Sequence, residues 1–579
     1  MLVETGALAG ERGACRLVRQ VDTLQVPATV QAILASRIDR LQSEDKRLLQ
    51  AAAVVGTHVP FAVLKAIAEI DEDALRQGLA RLQTAEFMYE ARLFPELEYA
   101  FKHALTHEVT YGGVLQDRRQ TMHRALVDAI ELIYADRIAE QIERLAHHAV
   151  AGRVLAKAVR YLREAGSRAL GRSANLEAVA FLEQALALQA EMPQTTQTLG
   201  EELEIRLALG PALISVKGPQ SEEVEGEYRR ALALVDRLQA EEKRFPAQWG
   251  LWYVSFTRAQ HEEALAAGER LLDTVKDGGD PGLILEAHHA LWPTLVGMGR
   301  PLQALIHAEQ GLALYDPVRD AAQRFVYGGH DPGACCRYHL AVANWLAGHP
   351  DLALRNTQDA LKLAAELDHP ATTALACYFC AWVHHQRGEL EAALSLFEQT
   401  LSIAKRYGIP VYTVVTEIAV RHLNGEHRTL DALDKWSGEV GAIRWPSWRK
   451  FFTVGILAEA YADTGHAGKG LEKLRTLSDA SVQTCVAPEV PRLEGELLMR
   501  LDKPDPVEAE RCLREAVALA RKQQSKSLEL RAATSLARLL AASGRKDEAR
   551  GELAGVYGWF TEGFDTADLK SARAVMERL

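Results

Sequence analysis

The side chains best suited to chemistry in this chain are cysteines and histidines that lie close together in the sequence. The densest set comprises Cys377, Cys380, His384 and His385. On a helix, positions 377, 380 and 384 would share one face. Thiolates and imidazoles bind structural zinc, but a tetrahedral site needs a fourth ligand, and cysteine pairs of this spacing usually lie on a turn. The set is therefore a candidate metal site that is incomplete by itself.

A fourth ligand could come from Cys335, Cys336 or His339, about one repeat earlier in the chain. The competing interpretation is that these cysteines are small apolar side chains in a helical core, where unpaired cysteines usually occur. We favour the core interpretation here and for the pairs His147-His148 and His288-His289. The sequence thus predicts no metal site.

A phosphate-binding loop would indicate nucleotide chemistry. Its pattern is Gly-x4-Gly-Lys-Ser/Thr, because backbone N–H groups surround the phosphates and the hydroxyl group binds Mg²⁺. Residues 463–470 approach this pattern, but the first position is Asp463 and the last is Gly470. Since both ends of the pattern differ, we interpret the segment as a turn between two helices.

Hydrolytic motifs are also incomplete. His103, His107 and Glu108 form His-x3-His-Glu, whereas zinc proteases need His-Glu-x2-His to place the general base. No serine or cysteine has the strand–turn–helix context of an activated nucleophile. We predict no catalytic residue and no enzymatic activity in this chain.

Aromatic residues concentrate in two places that could form ligand pockets. At helical spacing such residues more often pack between helices, and we favour packing. The two sets are Trp249, Trp252, Tyr253 and Phe256, and Trp436, Trp445, Trp448, Phe451 and Phe452.

Composition limits the classes of protein to consider. The chain has 579 residues, more than one ordinary domain, and its 48% hydrophobic and 25% charged residues are typical of a folded protein in water. The net charge of −11 disfavours nucleic acids and anionic membranes as partners. Seven cysteines in this length form no disulfide framework. Because no segment has the pattern of a secretory signal or a membrane helix, we expect a cytoplasmic protein.

The elements that position these residues follow from a recurring phrase. Its clearest copy has Gly388, Ala393, Phe397 and Thr400. Glycine permits the positive φ that ends a helix, and the three later residues share one face of the next helix. This phrase, which recurs about every 40 residues, is the signature of tetratricopeptide repeats.

The sequence therefore predicts a mainly α protein in which residues 136–579 form a tetratricopeptide-like α-solenoid, a right-handed superhelix of helix pairs. Each pair should contact only its neighbours, so that the array is nearly one-dimensional. Such an array presents a long concave surface to a partner.

Residues 26–135 have a different pattern, in which short helices are interrupted by a hairpin. Ser43 and Asp71 are well placed to cap helices. Segments 87–90 and 97–101 alternate or are continuously apolar, which is typical of two paired strands. Three helices followed by a hairpin is the order of a winged helix.

Three N-terminal segments resemble the stretch that follows the ATPase core in a family of large bacterial signalling proteins. These proteins join an adenylate/guanylate cyclase domain, or another effector, to a STAND-type ATPase and a tetratricopeptide tail. Segments of the solenoid resemble the tail of the same proteins. The matching segments are Val26–Leu41, Lys46–Gly56, Phe101–Tyr111, Phe245–Trp252, Ala313–Pro317 and Val556–Asp565.

The resemblance implies three regions. Residues 1–25 would be the tail of an upstream ATPase domain or a linker, 26–135 the helical/winged-helix domain and 136–579 the solenoid. The cyclase and the phosphate loop would lie before Met1, so ATP or ADP would be a ligand only together with that core. The resemblance also implies that His103 contacts the phosphates of a bound nucleotide.

We expect a non-catalytic regulatory protein whose solenoid binds a protein or peptide partner and whose winged-helix region relays that binding. Two alternatives remain open at this point. The chain could be a fragment of an active ATPase or adenylate cyclase whose catalytic domains lie upstream, or it could be a winged-helix regulator that binds DNA.

Overall fold

The computed structural model describes residues 8–9, 16–17, 28–426, 429–441, 448–477 and 484–579. The chain separates into two compact units, Met1–Ala165 and Gly166–Leu579. The boundary falls inside the helix Leu155–Gly171. Within the described ranges, no helix is both long enough and apolar enough to cross a membrane.

The first unit combines short helices with small antiparallel sheets. Its helices are α1 (Ala28–Asp39), α2 (Ser43–Val55), α3 (Phe61–Ile67), α4 (Glu72–Thr84), α5 (Ala104–Gly112), α6 (Gln116–Ile133), α7 (Ile142–Ala151) and α8 (Leu155–Gly171), with a 3₁₀ segment at Ala135–Gln141. Its strands are β1 (Leu8–Ala9), β2 (Arg16–Leu17), β3 (His58–Pro60), β4 (Met88–Arg92) and β5 (Glu98–Phe101). Strands β1 and β2 pair with each other, and the other three form a sheet in the order β3-β5-β4.

The predicted hairpin is confirmed by strands β4 and β5, in which Met88 lies opposite Phe101. Asp71 caps α4 as predicted, since its side chain accepts a hydrogen bond from the backbone N–H of Ala74 at 2.9 Å. The predicted cap at Ser43 is wrong. Ser43 is the first residue of α2, and Gln42 occupies the N-cap position without a side-chain cap bond. Strand β3 is too short to be found from its sequence.

The second unit is helical throughout its described ranges, with 3₁₀ segments at Glu241–Lys243 and Arg319–Phe325. Its first helices are α9 (Asn175–Gln189), α10 (Thr196–Lys217), α11 (Glu222–Leu238), α12 (Arg244–Thr257), α13 (His261–Val275), α14 (Pro281–Gly297), α15 (Pro301–Leu314), α16 (Pro332–Ala347), α17 (Pro350–Leu367), α18 (Pro370–Arg387) and α19 (Leu390–Tyr407). The remaining helices are α20 (Pro410–Leu423), α21 (Leu430–Gly441), α22 (Trp448–Asp463), α23 (Ala467–Arg475), α24 (Glu489–Met499), α25 (Pro506–Lys522), α26 (Lys526–Ala542), α27 (Lys546–Tyr557) and α28 (Ala567–Met576).

Most helices of the second unit pack against the next helix in the sequence, so the unit is a tetratricopeptide-like α-solenoid. Gly388 ends α18 with a φ of +84°. Ala393, Phe397 and Thr400 are fully buried on α19. The recurring phrase therefore forms a helix pair as predicted, with glycine at the turn, a small residue at the close approach and a large residue in the core.

One expectation from the repeats is wrong, because helices α16–α18 contact α26 and the segment that leads into α28, as well as their sequence neighbours. The hydroxyl group of Ser525 donates to the carbonyl oxygen of Leu346 at 3.2 Å. Arg531 donates to the carbonyl oxygen of Gln386 at 2.8 Å. We call the contact of α16–α18 with residues 525–568 the closure contact. Polar side chains at the two ends of the contact satisfy backbone groups that a one-dimensional array would leave to solvent.

The closure contact also caps a helix. Glu562 accepts hydrogen bonds from the backbone N–H groups of Asp351 and Leu352, each at 3.1 Å. Asp351 in turn accepts a bond from the N–H of Gly563 at 3.0 Å. The first N–H groups of a helix have no partner within that helix, so Glu562 satisfies donors of α17 that would otherwise need water.

Arg387 lies beneath the closure contact, with a side chain that is only 1% exposed. Its guanidinium group donates to the carbonyl oxygen of Pro350 at 2.6 Å and to Glu389 at 2.8 Å, and it lies 3.4 Å from Asp351. A buried charge is tolerated only with such partners. Arg387 therefore ties the turn after α18 to the start of α17.

Candidate functional site

A cleft of about 280 Å³ lies inside the second unit, where helices far apart in the sequence meet. Helices α16 and α18 supply Trp345 and Trp382 to its wall, and α22 supplies Phe452. Helices α24, α26 and α28 complete it with charged residues. The cleft depends on the closure contact, because that contact places α26 and α28 next to α16 and α18, which carry the two tryptophans.

Two arginines in the cleft have several partners each. Arg492 donates to both carboxylate oxygens of Glu489, at 2.7 and 2.8 Å, and lies 2.9 Å from Glu496. Arg531 donates to Asp568 at 2.8 Å, and its guanidinium carbon lies 4.8 Å from the ring centre of Trp345. Guanidinium groups suit such planar, multidentate contacts. Both arginines are thus engaged by the protein itself.

The carboxylates of the cleft outnumber its guanidinium groups. Four acidic residues line it, namely Glu459, Glu489, Glu496 and Asp568, against three arginines, namely Arg492, Arg531 and Arg538. Burial opposes ionisation of Glu489 and Glu496, but attraction to Arg492 outweighs it and lowers the pKa of both carboxyl groups. Burial instead raises the pKa of Asp568, although Arg531 opposes the rise.

Glu459 is the least compensated of these carboxylates. Its ion pair with Arg492, the shortest it makes among the described residues, is long at 3.8 Å, and its side chain is 45% exposed. Burial raises the pKa of its carboxyl group, and Glu496 and Glu489 add to the rise while Arg492 opposes it. A cation that entered the cleft would find an acceptor there that the protein has not neutralised.

His385 adds a polar atom without a hydrogen-bond partner among the described residues, its buried Nδ1. The ring lines the cleft and contacts Phe452 edge-on, with ring centres 5.2 Å apart. Burial, together with the positive charge of Arg531, lowers the pKa of His385 to about 4. The imidazole is therefore neutral at pH 7 and can accept or donate one further hydrogen bond to a ligand.

The structure separates the cysteines that the sequence brought together. Cys377 and Cys380 are buried in α18, where their thiols point to Gln399 at 3.8 Å and to the carbonyl oxygen of Thr357 at 3.6 Å. Nδ1 of His384 lies 2.5 Å from a carboxylate oxygen of Glu389 and does not join the cysteines. The packing interpretation of these two cysteines is confirmed.

His103 lies at the start of α5, with an exposed side chain that makes no cap hydrogen bond. Its implied role in phosphate binding remains a prediction. The segment 463–470 forms the predicted turn between α22 and α23, with Gly465 at a φ of +82°.

The first aromatic set packs in the core as predicted. Trp249 and Trp252 are buried, and their indole N–H groups donate to the backbone carbonyl oxygen of Glu286 and to the hydroxyl oxygen of Thr294 on α14, each at 3.1 Å. In the second set Trp436 is buried and Phe452 lines the cleft. Trp445, and the side chains of Trp448 and Phe451, lie outside the described residues.

Sequence reasoning missed a group that combines His289, His330 and Cys335, which we call the histidine–cysteine cluster. Nε2 of His289 lies 3.1 Å from Sγ of Cys335 and 3.2 Å from Nε2 of His330. All three side chains are buried. The sequence gives a partial signal, since His289 and Cys335 occupy neighbouring repeats, but His330 lies in a connecting segment and has no repeat position.

Comparison with known proteins places the chain in no established family, since no family model matches it. An uncharacterized protein of Rhizobium meliloti (strain 1021) is 31% identical over 322 residues, which are 55% of this chain and 31% of that protein. The chain thus spans about a third of the length of the curated relative that it matches.

Solved structures with partial similarity include a Rap protein complexed with Competence and Sporulation Factor, at 12% identity and a TM-score of 0.37, over 72% of this chain and 98% of that one. The apo form of the quorum sensor NprR from B. thuringiensis has 14% identity and a TM-score of 0.37, over 62% and 99%. A STAND protein with a tetratricopeptide repeat sensor from Pyrococcus horikoshii has 11% identity and a TM-score of 0.26, over 96% and 68%.

Proposed function

We propose that this chain is the non-catalytic regulatory part of a signalling ATPase, and that its solenoid binds a partner protein or peptide in the cleft. The observation that carries the proposed binding is Glu459, a carboxylate that lines the cleft and whose one ion pair among the described residues is the 3.8 Å contact with Arg492. A lysine, an arginine or a free amino group of the partner would pair with it.

The walls of the cleft favour an apolar segment on either side of that cation. Trp345, Trp382 and Phe452 line the cleft as apolar, nearly buried rings, and such rings pack well against aliphatic and aromatic side chains. The volume of about 280 Å³ is at the small end for ligand sites and suits one or two side chains of a peptide. We therefore propose a cationic residue flanked by apolar residues as the recognised motif.

Ligand binding would be coupled to the closure contact. Residues of α16 and α18 form one side of the cleft, and residues of α26 and α28 form the other. A ligand that contacts both sides binds the closed solenoid more tightly than an open one, and so shifts the balance between them. Ligand binding would therefore be converted into a change in the fraction of closed solenoid.

For the N-terminal unit we propose the winged-helix domain of a STAND-type ATPase, with His103 as a sensor of nucleotide phosphates. The order of α2, α3 and α4 before the β4–β5 hairpin supports the proposal. The exposed ring of His103 is free to donate an N–H to a phosphate oxygen. In a protein that includes the phosphate-loop core, His103→Ala should weaken nucleotide retention; unchanged retention would refute the role.

The cleft proposal is tested by calorimetric titration of the full chain with a library of short peptides. Each carries one lysine or arginine between apolar residues, and a matched library has glutamine in its place. We expect binding of cationic peptides only, and a loss of about tenfold in affinity, or about 1.4 kcal/mol, in Glu459→Gln.

The matched control is Glu398→Gln, which changes an exposed glutamate on α19 away from the cleft and should bind as the wild type does. Equal binding of the glutamine peptides would contradict the role of Glu459. Absence of binding by every peptide would contradict the proposed function as a whole.

A further inference from the structure

We propose that the histidine–cysteine cluster is a binding site for a divalent transition-metal ion, with Zn²⁺ as the best match. His289 lies on α14, Cys335 lies on α16, and His330 lies just before α16. One ligand atom from each lies within 4.8 Å of the other two. Imidazole nitrogens and thiolates are common zinc ligands in proteins, and three protein ligands leave the fourth tetrahedral position open, as in catalytic zinc sites.

The spacing of the ligand atoms fits a tetrahedral ion. With zinc–nitrogen and zinc–sulfur bonds of about 2.0 and 2.3 Å, ligand atoms around one ion lie roughly 3.3–3.6 Å apart. The two short distances in the cluster are 3.2 Å between the imidazole nitrogens of His330 and His289, and 3.1 Å from His289 to the Cys335 sulfur. These two pairs would move apart by roughly a few tenths of an ångström around the ion, and the third pair of ligand atoms, which lies within 4.8 Å, would adjust to a similar spacing.

Nδ1 of each imidazole already has a hydrogen-bond partner outside the three ligand atoms. This partner orients the ring so that Nε2 faces the other ligand atoms. Nδ1 of His330 lies 3.1 Å from the carbonyl oxygen of Gly328, which can only accept, so the ring proton lies on Nδ1. Nε2 of His330 consequently presents a lone pair. Nδ1 of His289 lies 2.8 Å from the carboxyl group of Glu286. When His289 donates there, its Nε2 presents a second lone pair only 3.2 Å from the first, and a metal ion would relieve that repulsion.

Glu286 occupies the position of an orienting partner in metal sites. A histidine ligand commonly donates its other ring N–H to a carboxylate, and the carboxylate–histidine pair fixes the ring and increases its basicity. Glu286 is fully buried, and its Oε1 has no hydrogen-bond partner among the described residues. A negative charge in such a place needs a compensating positive charge, which a bound divalent ion would supply.

The surroundings would keep the ion from exchanging quickly. The ring of His289 stacks on Trp292 at 4.9 Å between ring centres, and the ring of Trp249 lies 5.4 Å away. His339 lies beside the cluster, with Nδ1 3.4 Å from the Cys335 sulfur. The ion would thus join α14 to α16 in the core and stabilise that part of the solenoid.

The test uses the full chain, loaded with Zn²⁺ or Co²⁺ and then dialysed against metal-free buffer. Elemental analysis should find about one Zn²⁺ per chain, the stoichiometry of a single tetrahedral site. The Co²⁺ form should have a thiolate-to-metal charge-transfer band in the near ultraviolet. Chelation should lower the melting temperature of the wild type, since an ion bound only by the folded state stabilises it.

Cys335→Ala should lose the thiolate band and the retained metal, whereas the matched variant Cys336→Ala should keep both. Cys336 is equally buried next to Cys335, but its thiol donates to the carbonyl oxygen of Ala308 at 2.9 Å. Glu286→Gln should weaken metal binding by about 10- to 100-fold. Circular dichroism checks that each variant is folded.

Two results would overturn the proposal. One is a wild-type chain that retains no metal and gives no thiolate band with Co²⁺, which would make the cluster a hydrogen-bonded core. The other is equal loss of metal in Cys335→Ala and Cys336→Ala. Since the wild-type spectrum alone decides the first result, the test does not depend on the folding of a variant.

Discussion

The cleft and the histidine–cysteine cluster lie in the same unit but are assembled in different ways. The cleft joins α16 and α18 to helices more than a hundred positions later, for example through the contact between Arg531 and Gln386. The cluster joins α14 to α16, and its residues are no more than 46 positions apart; all its side chains are buried. A change at the closure contact should therefore affect the cleft and leave the cluster intact.

The largest expected effect is that of Arg387→Met. Removal of a buried guanidinium takes a donor from the carbonyl oxygen of Pro350 and leaves Glu389 with His384 alone, which costs about 3 kcal/mol or more. We expect the melting temperature to fall by several degrees and peptide binding to be lost, while metal retention in the cluster persists.

The matched control for Arg387→Met is Arg355→Met on α17, which changes an exposed arginine near the same contact. It should alter neither the melting temperature nor peptide binding. Peptide binding that survives in Arg387→Met would show that the cleft does not need the closure contact.

A smaller effect is expected from Gly388→Ala. A β-carbon at Gly388 would lie 2.5 Å from that of Ala567 on α28, so the closure contact would have to open. Gly544→Ala is the control, because Gly544 has nearly the same φ, +80° against +84°, and no atom within 4 Å of the added carbon. Both variants carry a backbone strain of about 1 kcal/mol.

Titrations should find peptide affinity reduced about tenfold, or by about 1.4 kcal/mol, in Gly388→Ala alone. Equal affinities of the Gly388→Ala and Gly544→Ala chains would mean that the contact with α28 does not support the cleft.

These two glycines also explain how much of the fold could be predicted. The spacing of Gly388, Ala393 and Phe397 is local, and local periodicity predicts a helix pair. The contact of Gly388 with Ala567 depends on small rotations accumulated over many repeats, and no single segment encodes it. Local periodicity therefore predicts a nearly one-dimensional array. The prediction is wrong at α16–α18, which also contact residues far along the chain.

The same distinction holds for the candidate sites. Cys377 and Cys380 are close in sequence, yet their thiols point to separate partners on neighbouring helices. Cys335 and His289 are 46 positions apart, yet they are in contact. On a helix, sequence proximity fixes which face a side chain occupies, whereas the identity of the side chain opposite it depends on packing between repeats.

The pH dependence of peptide binding should sharpen the role of Glu459. The protein raises its pKa above the ordinary value of 4.5, so the carboxylate becomes protonated at a higher pH than an exposed glutamate would. Protonation removes the ion pair with the peptide. Affinity should fall as the pH is lowered through the raised pKa, and the fall should be absent from Glu459→Gln. A wild-type affinity that is independent of pH would contradict this assignment.

The smallest effect concerns the stability of the empty protein. Because the folded state holds the proton of Glu459 more tightly than the unfolded state, this group stabilises the fold below pH 4.5 and loses that contribution as the pH rises through the raised pKa. Glu459→Gln, which cannot ionise, should therefore have a slightly higher melting temperature than the wild type at pH 7. Below pH 4.5 the two should agree, and a lower value at pH 7 would contradict the account.

The central claim, that the solenoid closes on itself to form the cleft, is tested most directly by hydrogen–deuterium exchange at the start of α17. The N–H groups of Asp351 and Leu352 lie in the first turn, where an isolated helix offers no acceptor, and Glu562 binds both at 3.1 Å. We predict that these amides and that of Gly563 are protected in the wild type, and that all three lose protection together in Gly388→Ala. Exchange of the Asp351 and Leu352 amides at the rate of a free helix end in the wild type would contradict the closure.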